Sequence, residues 1–190
     1  FAIPSSAPFA AACGLAPHPV EELIGFHIAF GKTVPDVSLN AVANLGYAEC
    51  RFHRPLVPGD TLRTRSEVIG LKENSNGRTG VVYVRSTATD QTGDVVIDWA
   101  RWVMVNKRDQ AAPAPETVVP DLAKALGAAD LVLPDGLDFT GYDFAAAGEP
   151  HRWDDYEVGE KVDHVDGVTL TDAEHMLATR LWQNTAKVHF

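Results

Sequence analysis

Between Leu45 and Val105 the chain alternates extended segments of about a dozen residues with tight-turn chemistry, and this rhythm constrains the fold most. Leu45 to Leu56 alternates around Tyr47, Glu49, Arg51 and His53, and Pro58-Gly59-Asp60 then turns the chain. Thr61 to Lys72 reads as a second strand. Asn74-Ser75-Asn76-Gly77 is a hairpin signal, because Asn and Gly tolerate positive φ. Val81-Val82-Tyr83-Val84 begins a third strand, Gln91-Thr92-Gly93-Asp94 turns it, and Val95 to Val105 is a fourth. The last three form an antiparallel meander. Ahead of them Val20, Leu23, Ile24, His27, Ile28 and Phe30 follow helical spacing, with Pro19 suited to the first helical position and Gly31 and Pro35 as terminators. That stripe is apolar enough to predict a buried helix, with His27 structural. A buried helix before such a sheet predicts an α+β fold in which an antiparallel sheet wraps around a central helix.

The flanks read differently. Residues 1–17 are a loop with one helical turn around Phe9–Cys13, and residues 108–150 are a Pro/Ala-rich linker with a short helix near Leu122–Leu126. Structure resumes at 151–190. There Val158-Gly159-Glu160-Lys161-Val162 reads as a turn entering a strand. Thr171-Asp172-Ala173-Glu174 has capping-box spacing ahead of a helix through Leu181. The ends, Phe1 and Val188-His189-Phe190, read as those of a piece of a longer chain.

The formal net charge of −10 speaks against nucleic-acid binding, which needs a basic surface. No apolar run reaches membrane-spanning length, and the first residues lack the pattern of a signal peptide. Cys13 and Cys50 fit reduced cytoplasmic thiols. No His, Cys or acidic grouping, His164 and His175 included, has metal-ligand spacing, so neither metal nor cofactor is expected. Ser5-Ser6 lacks the glycines of a nucleophile elbow. Arg51, Arg54, Arg63 and Arg65 lie on neighbouring segments of sequence, a concentration of cations suited to phosphate groups.

Arg54-Pro55-Leu56-Val57-Pro58-Gly59-Asp60-Thr61-Leu62 resembles the strand-turn-strand signature of the MaoC-like hot-dog family. Ser38 to Thr79, His151 to Tyr156 and Trp182-Gln183-Asn184-Thr185-Ala186-Lys187-Val188-His189-Phe190 are similar to the mesaconyl-CoA hydratases within it. The resemblance implies a double hot-dog: a first repeat over 1–107 lacking its start, the linker, and the start of a second, truncated repeat at 151–190. It also implies a small acyl-CoA substrate and a homo-oligomer formed through hot-dog packing.

The implied reaction is reversible addition of water to mesaconyl-CoA, giving β-methylmalyl-CoA. In (R)-specific enoyl-CoA hydratases an aspartate and a histidine five positions later handle one water, and Asn184 and His189 hold the matching positions. His189 is the expected acid/base. Asn184 keeps the spacing but is an amide, so it can orient the water or the thioester without acting as a base. Lys187 and Arg180, nearby in sequence, are candidates for the second carboxylate of the substrate, and Arg54 is a further substrate-binding candidate. Two alternatives stay open: a hot-dog thioesterase using Glu21 or Glu22, and a non-catalytic acyl-CoA-binding repeat.

Overall fold

The computed structural model describes residues 2–189, the side chain of Val188 excepted. Phe1 and Phe190, used above as chain ends and as the close of the Trp182–Phe190 match, lie outside the described residues. Four long strands make one antiparallel sheet: β1 (Ala41–Phe52), β2 (Arg63–Glu73), β3 (Thr79–Thr89) and β4 (Val95–Asn106). The predicted meander is β2-β3-β4. In the β2–β3 hairpin the Asn74 N–H donates to the Thr79 carbonyl at 3.0 Å, Asn76 Oδ1 accepts from Arg78 and Thr79, and Gly77 has φ +63°. A side chain other than glycine would be strained there.

The sheet order is β1-β4-β3-β2, so β1 pairs with the last strand, not with its neighbour in sequence. Residues 53–62 therefore cross from one edge of the sheet to the other. The Pro-Gly-Asp motif builds this crossing. Asp60 accepts from the Val57 N–H at 3.1 Å and from Arg54 at 3.1 Å, while Val20 bridges Leu56. Arg54 also reaches Asp90 at 2.5 Å in the β3–β4 turn. Oδ1 of Asp90 accepts from the N–H groups of Thr92, Gly93 and Asp94 and from the Thr92 hydroxyl. The Thr92 hydroxyl, then Arg54, hold the Asp90 carboxyl far below the ordinary aspartate range.

Two short helices, α1 (Ala2–Ser5) and α2 (Ala7–Ala12), precede the main helix α3 (Glu22–Gly31). Pro19 is not its first residue. Val20 is held in the bridge to Leu56, and Glu21 caps α3 by accepting from the Ile24 N–H at 3.2 Å. α3 lies on the sheet through Gly25 and Ala29, with Phe26 edge-on to Trp99 at 5.3 Å, above a core of Leu56, Ala88, Val96, Ile97 and Trp99. The expectation of a buried helix is corrected. The sheet covers one face only, leaving Leu23 (56%), Ile24 (39%) and Ile28 (37%) open, and His27 is exposed as well.

The linker pairs with the free edge of β2 and reaches a side chain of β1. Val118 exchanges backbone hydrogen bonds with Leu71, and the Ala123 N–H donates to Glu49 at 2.9 Å. The helix expected near Leu122–Leu126 does not form; the described turn is 3-10 at Ala128–Asp130. The strand expected after Val158 is likewise absent among the described residues. Val158, Val165, Val168 and Leu170 are exposed, and no neighbouring edge offers the segment a ladder. Regular structure returns with α4 (Asp172–Leu181).

Candidate active site

α4 starts and stops by local chemistry, and its stop delivers the candidate residues. The Thr171 hydroxyl accepts the Glu174 N–H at 3.2 Å and donates to the Glu174 carboxylate at 3.0 Å, so Glu174 reaches back to the hydroxyl rather than to a backbone N–H. At the other end the N–H of Gln183 donates to the Arg180 carbonyl and the N–H of Asn184 to the Thr179 carbonyl, at 3.1 Å each. This is a Schellman closure. Its left-handed position, usually glycine, is Gln183 with φ +55°. A side chain in that conformation costs about 1 kcal/mol. Asn184 consequently leaves the helix in a fixed direction.

Asn184 Oδ1 accepts the Ala186 N–H at 3.2 Å, which leaves Nδ2 to donate to Nε2 of His189 at 3.1 Å. Nε2 must then carry its lone pair, and the proton of the neutral ring is assigned to Nδ1. A short 3-10 turn, Lys187–His189, brings the imidazole round, its own N–H donating to the Ala186 carbonyl at 3.0 Å. Both side chains are half-buried. The arrangement pairs one imidazole lone pair with one amide donor, and a small molecule such as water engages both by parting them. The sequence weighs His175 only as a metal ligand, yet its ring centre lies 5.5 Å from that of His189 because α4 and the 3-10 turn fold side by side. No spacing rule links positions fourteen apart across a helix end.

The other candidates are distributed more widely. Lys187 and Arg180 are exposed, and among the described residues neither side chain bonds to the pair. Arg54 is occupied elsewhere: its guanidinium donates to the Pro55 carbonyl, Asp60 and Asp90, all in the crossing and the β3–β4 turn. The expected concentration of four arginines is corrected, since Arg51 lies on β1 and Arg63 and Arg65 on β2, at opposite edges of the sheet. Of the two thioesterase candidates, Glu21 uses its carboxylate to cap α3, and Glu22 is exposed in the first turn of that helix. Burial pushes the Cys50 thiol up to about 11, with Asp98 adding to the shift, so it is a poor nucleophile. Among the described residues no group of three or more His, Cys, Asp or Glu could hold a metal.

Two features were hidden from the sequence. Arg101 on β4 is completely buried. It donates to the Thr33 hydroxyl at 2.7 Å and to Ser38 at 3.3 Å, lies over the Phe30 ring at 4.5 Å, and leaves Nε unpaired. Burial lowers its pKa to about 10. On the opposite face, Asp98 meets His53 at 2.5 Å and Arg85 at 3.4 Å, and Arg85 also pairs with Glu49. A groove of about 780 Å³ between the first residues and the linker has Glu21, Glu22 and Glu149 as its charged lining, a poor match for an acidic thioester.

With this geometry, the chain matches the family described as mesaconyl-CoA hydratase over residues 7–190. It belongs to that family. It is 67% identical over 189 residues to mesaconyl-CoA hydratase of Cereibacter sphaeroides, covering all of this chain and 55% of that protein. It is 60% identical to β-methylmalyl-CoA dehydratase of Chloroflexus aurantiacus, covering all of this chain and 54% of the relative. The chain thus spans about half the length of the curated relatives it matches. A crystal structure of a MaoC domain dehydratase from Chloroflexus aurantiacus superposes with TM-score 0.90 at 59% identity, over all of this chain and 54% of that one. A double-hotdog protein of Mycobacterium tuberculosis superposes at 0.63 and 26% identity, over 98% of this chain and 57% of that one. For this mesaconyl-CoA hydratase family chain, the sheet with α3 against it is the hot-dog unit that the sequence predicts.

Proposed function

We propose that the chain is part of a hydro-lyase that reversibly adds water to mesaconyl-CoA, giving β-methylmalyl-CoA. The observation that carries this reading is the 3.1 Å bond in which the Asn184 amide donates to Nε2 of His189, in a member of this family. A water entering between the two side chains takes over the amide as donor to its oxygen and the imidazole as acceptor of its proton. Its O–H bond breaks as oxygen attacks the β-carbon, Nε2 takes the proton, and the electron pair moves onto the thioester as an enolate. The imidazolium then returns a proton to the α-carbon, so water is added without net consumption of acid or base. Lys187 and Arg180 are the cations nearest in sequence for the substrate's carboxylate, and Arg54 acts by holding the crossing rather than by direct contact.

The whole protein would be a double hot-dog with residues 1–107 in one repeat and 151–190 opening the other, assembled as a homo-oligomer. The free thiols of Cys13 and Cys50 support a cytoplasmic location. Among the described residues no helix is long and apolar enough to cross a membrane. The amide at Asn184 favours one second reading, a repeat that binds acyl-CoA without turning it over.

The test is a paired assay of the full-length protein with mesaconyl-CoA. Loss of enoyl-thioester absorbance without release of free thiol, reduced about 10²–10⁴-fold by His189→Ala, supports the hydratase. Thiol release would instead make it a thioesterase, and binding with no turnover would favour the second reading.

A further inference from the structure

We propose that the last turn of α3 is the platform that fixes the Asn184–His189 pair, with Gly31, Lys32 and Gln183 as positioning residues. The idea rests on the reading of His189 as the acid/base. α4 follows a segment, 156–170, that has no regular structure, so its placement comes from what its far end touches. That end is seated on α3. The Trp182 ring stacks on His27 with centres 5.7 Å apart and planes inclined by 27°. The Trp182 carbonyl packs against Gly31 so closely that a Cβ there would stand 1.7 Å from the oxygen. Lys32 Nζ donates to Gln183 Oε1 at 2.5 Å.

Gln183 ties these contacts to the chemistry. It occupies the left-handed position at which glycine is the unstrained choice, and its side chain is the one bonded to Lys32. The next residue is Asn184, which holds His189. A small rotation at Gln183 moves the amide and, through it, the imidazole. Positioning of this kind acts on the rate of the chemical step more than on the binding of a distant CoA moiety.

The experiment compares full-length wild type with Lys32→Met, Lys32→Arg, Gln183→Gly and the Lys32→Met/Gln183→Gly double variant. Gln183→Gly relieves the backbone and removes the link, so a purely structural residue would keep or gain thermal stability there without losing rate. The expected result is a fall in kcat of about tenfold in Lys32→Met and in Gln183→Gly, with KM within about twofold. The double variant should be no slower than either single one, and Lys32→Arg should recover most of the rate. Unchanged kcat in both singles overturns the proposal. So does a KM rise confined to Lys32→Met, which would make Lys32 a substrate contact. If wild type does not hydrate mesaconyl-CoA, the functional reading fails by itself. The platform is then still judged by the His189 ring nitrogen resonances, which should move in Lys32→Met and Gln183→Gly; resonances that stay put overturn it.

Discussion

Asn184 and Arg101 are both polar side chains whose partners differ from what their type usually finds. Asn184 donates to His189 where a carboxylate would accept from it. Asn184→Ala is expected to lower kcat about 10²-fold in the full-length enzyme. Asn184→Asp should keep more rate but shift the acid limb of the rate profile to higher pH, because a carboxylate favours the protonated ring. Steady-state rates across pH check both. Arg101 is buried with hydroxyl and carbonyl acceptors, and among the described residues no carboxylate forms a salt bridge with it. Replacing it removes a desolvated charge without orphaning an opposite one. Arg101→Met should therefore change unfolding free energy by less than about 2 kcal/mol, against about 3–5 kcal/mol for Trp99→Ala in the same core. Urea titrations compare them.

At the scale of elements, the β3–β4 turn and the residue 53–62 crossing are locked together by Asp90. Its carboxyl titrates below the usual 3.8, so its contribution is present above that value and is lost as pH falls through the lowered folded-state value. Asp90→Asn should flatten the acid end of the stability curve, measured as urea midpoints from pH 5 downward. Thr171→Ala should loosen the start of α4 by about 1 kcal/mol, seen as faster amide exchange in that helix alone. The turns were legible in sequence because each is a local bargain of residue type with φ: Gly77, Gly93 and the Thr171 cap act within four residues. The role of Arg54 was not, because Asp90, thirty-six residues on, becomes its neighbour only once the crossing is made. Asn184 and His189 could be paired only through the family resemblance, which offers no counterpart for His175.

For the molecule as a whole, the open side of α3 and the exposed Leu177 and Leu181 of α4 present apolar surface that the described residues leave uncovered. The 190-residue chain alone is expected to self-associate, eluting above its 20.5 kDa mass in light-scattering chromatography. Ile24→Lys combined with Ile28→Lys should return it toward that mass. The helix was misjudged as buried because its composition is apolar all round, and composition says how much surface seeks cover without saying which chain provides it. The pairing of β1 with β4 also has a kinetic side. Between Phe52 and Val95 the chain must traverse two whole strands before those edges can meet, a separation of about forty residues, whereas β2, β3 and β4 zip through turns of a few residues. The meander should consolidate first and β1 should seal the sheet last. Substitutions such as Val42→Ala would then speed unfolding while leaving the refolding rate nearly untouched, and those in β3 would slow refolding itself.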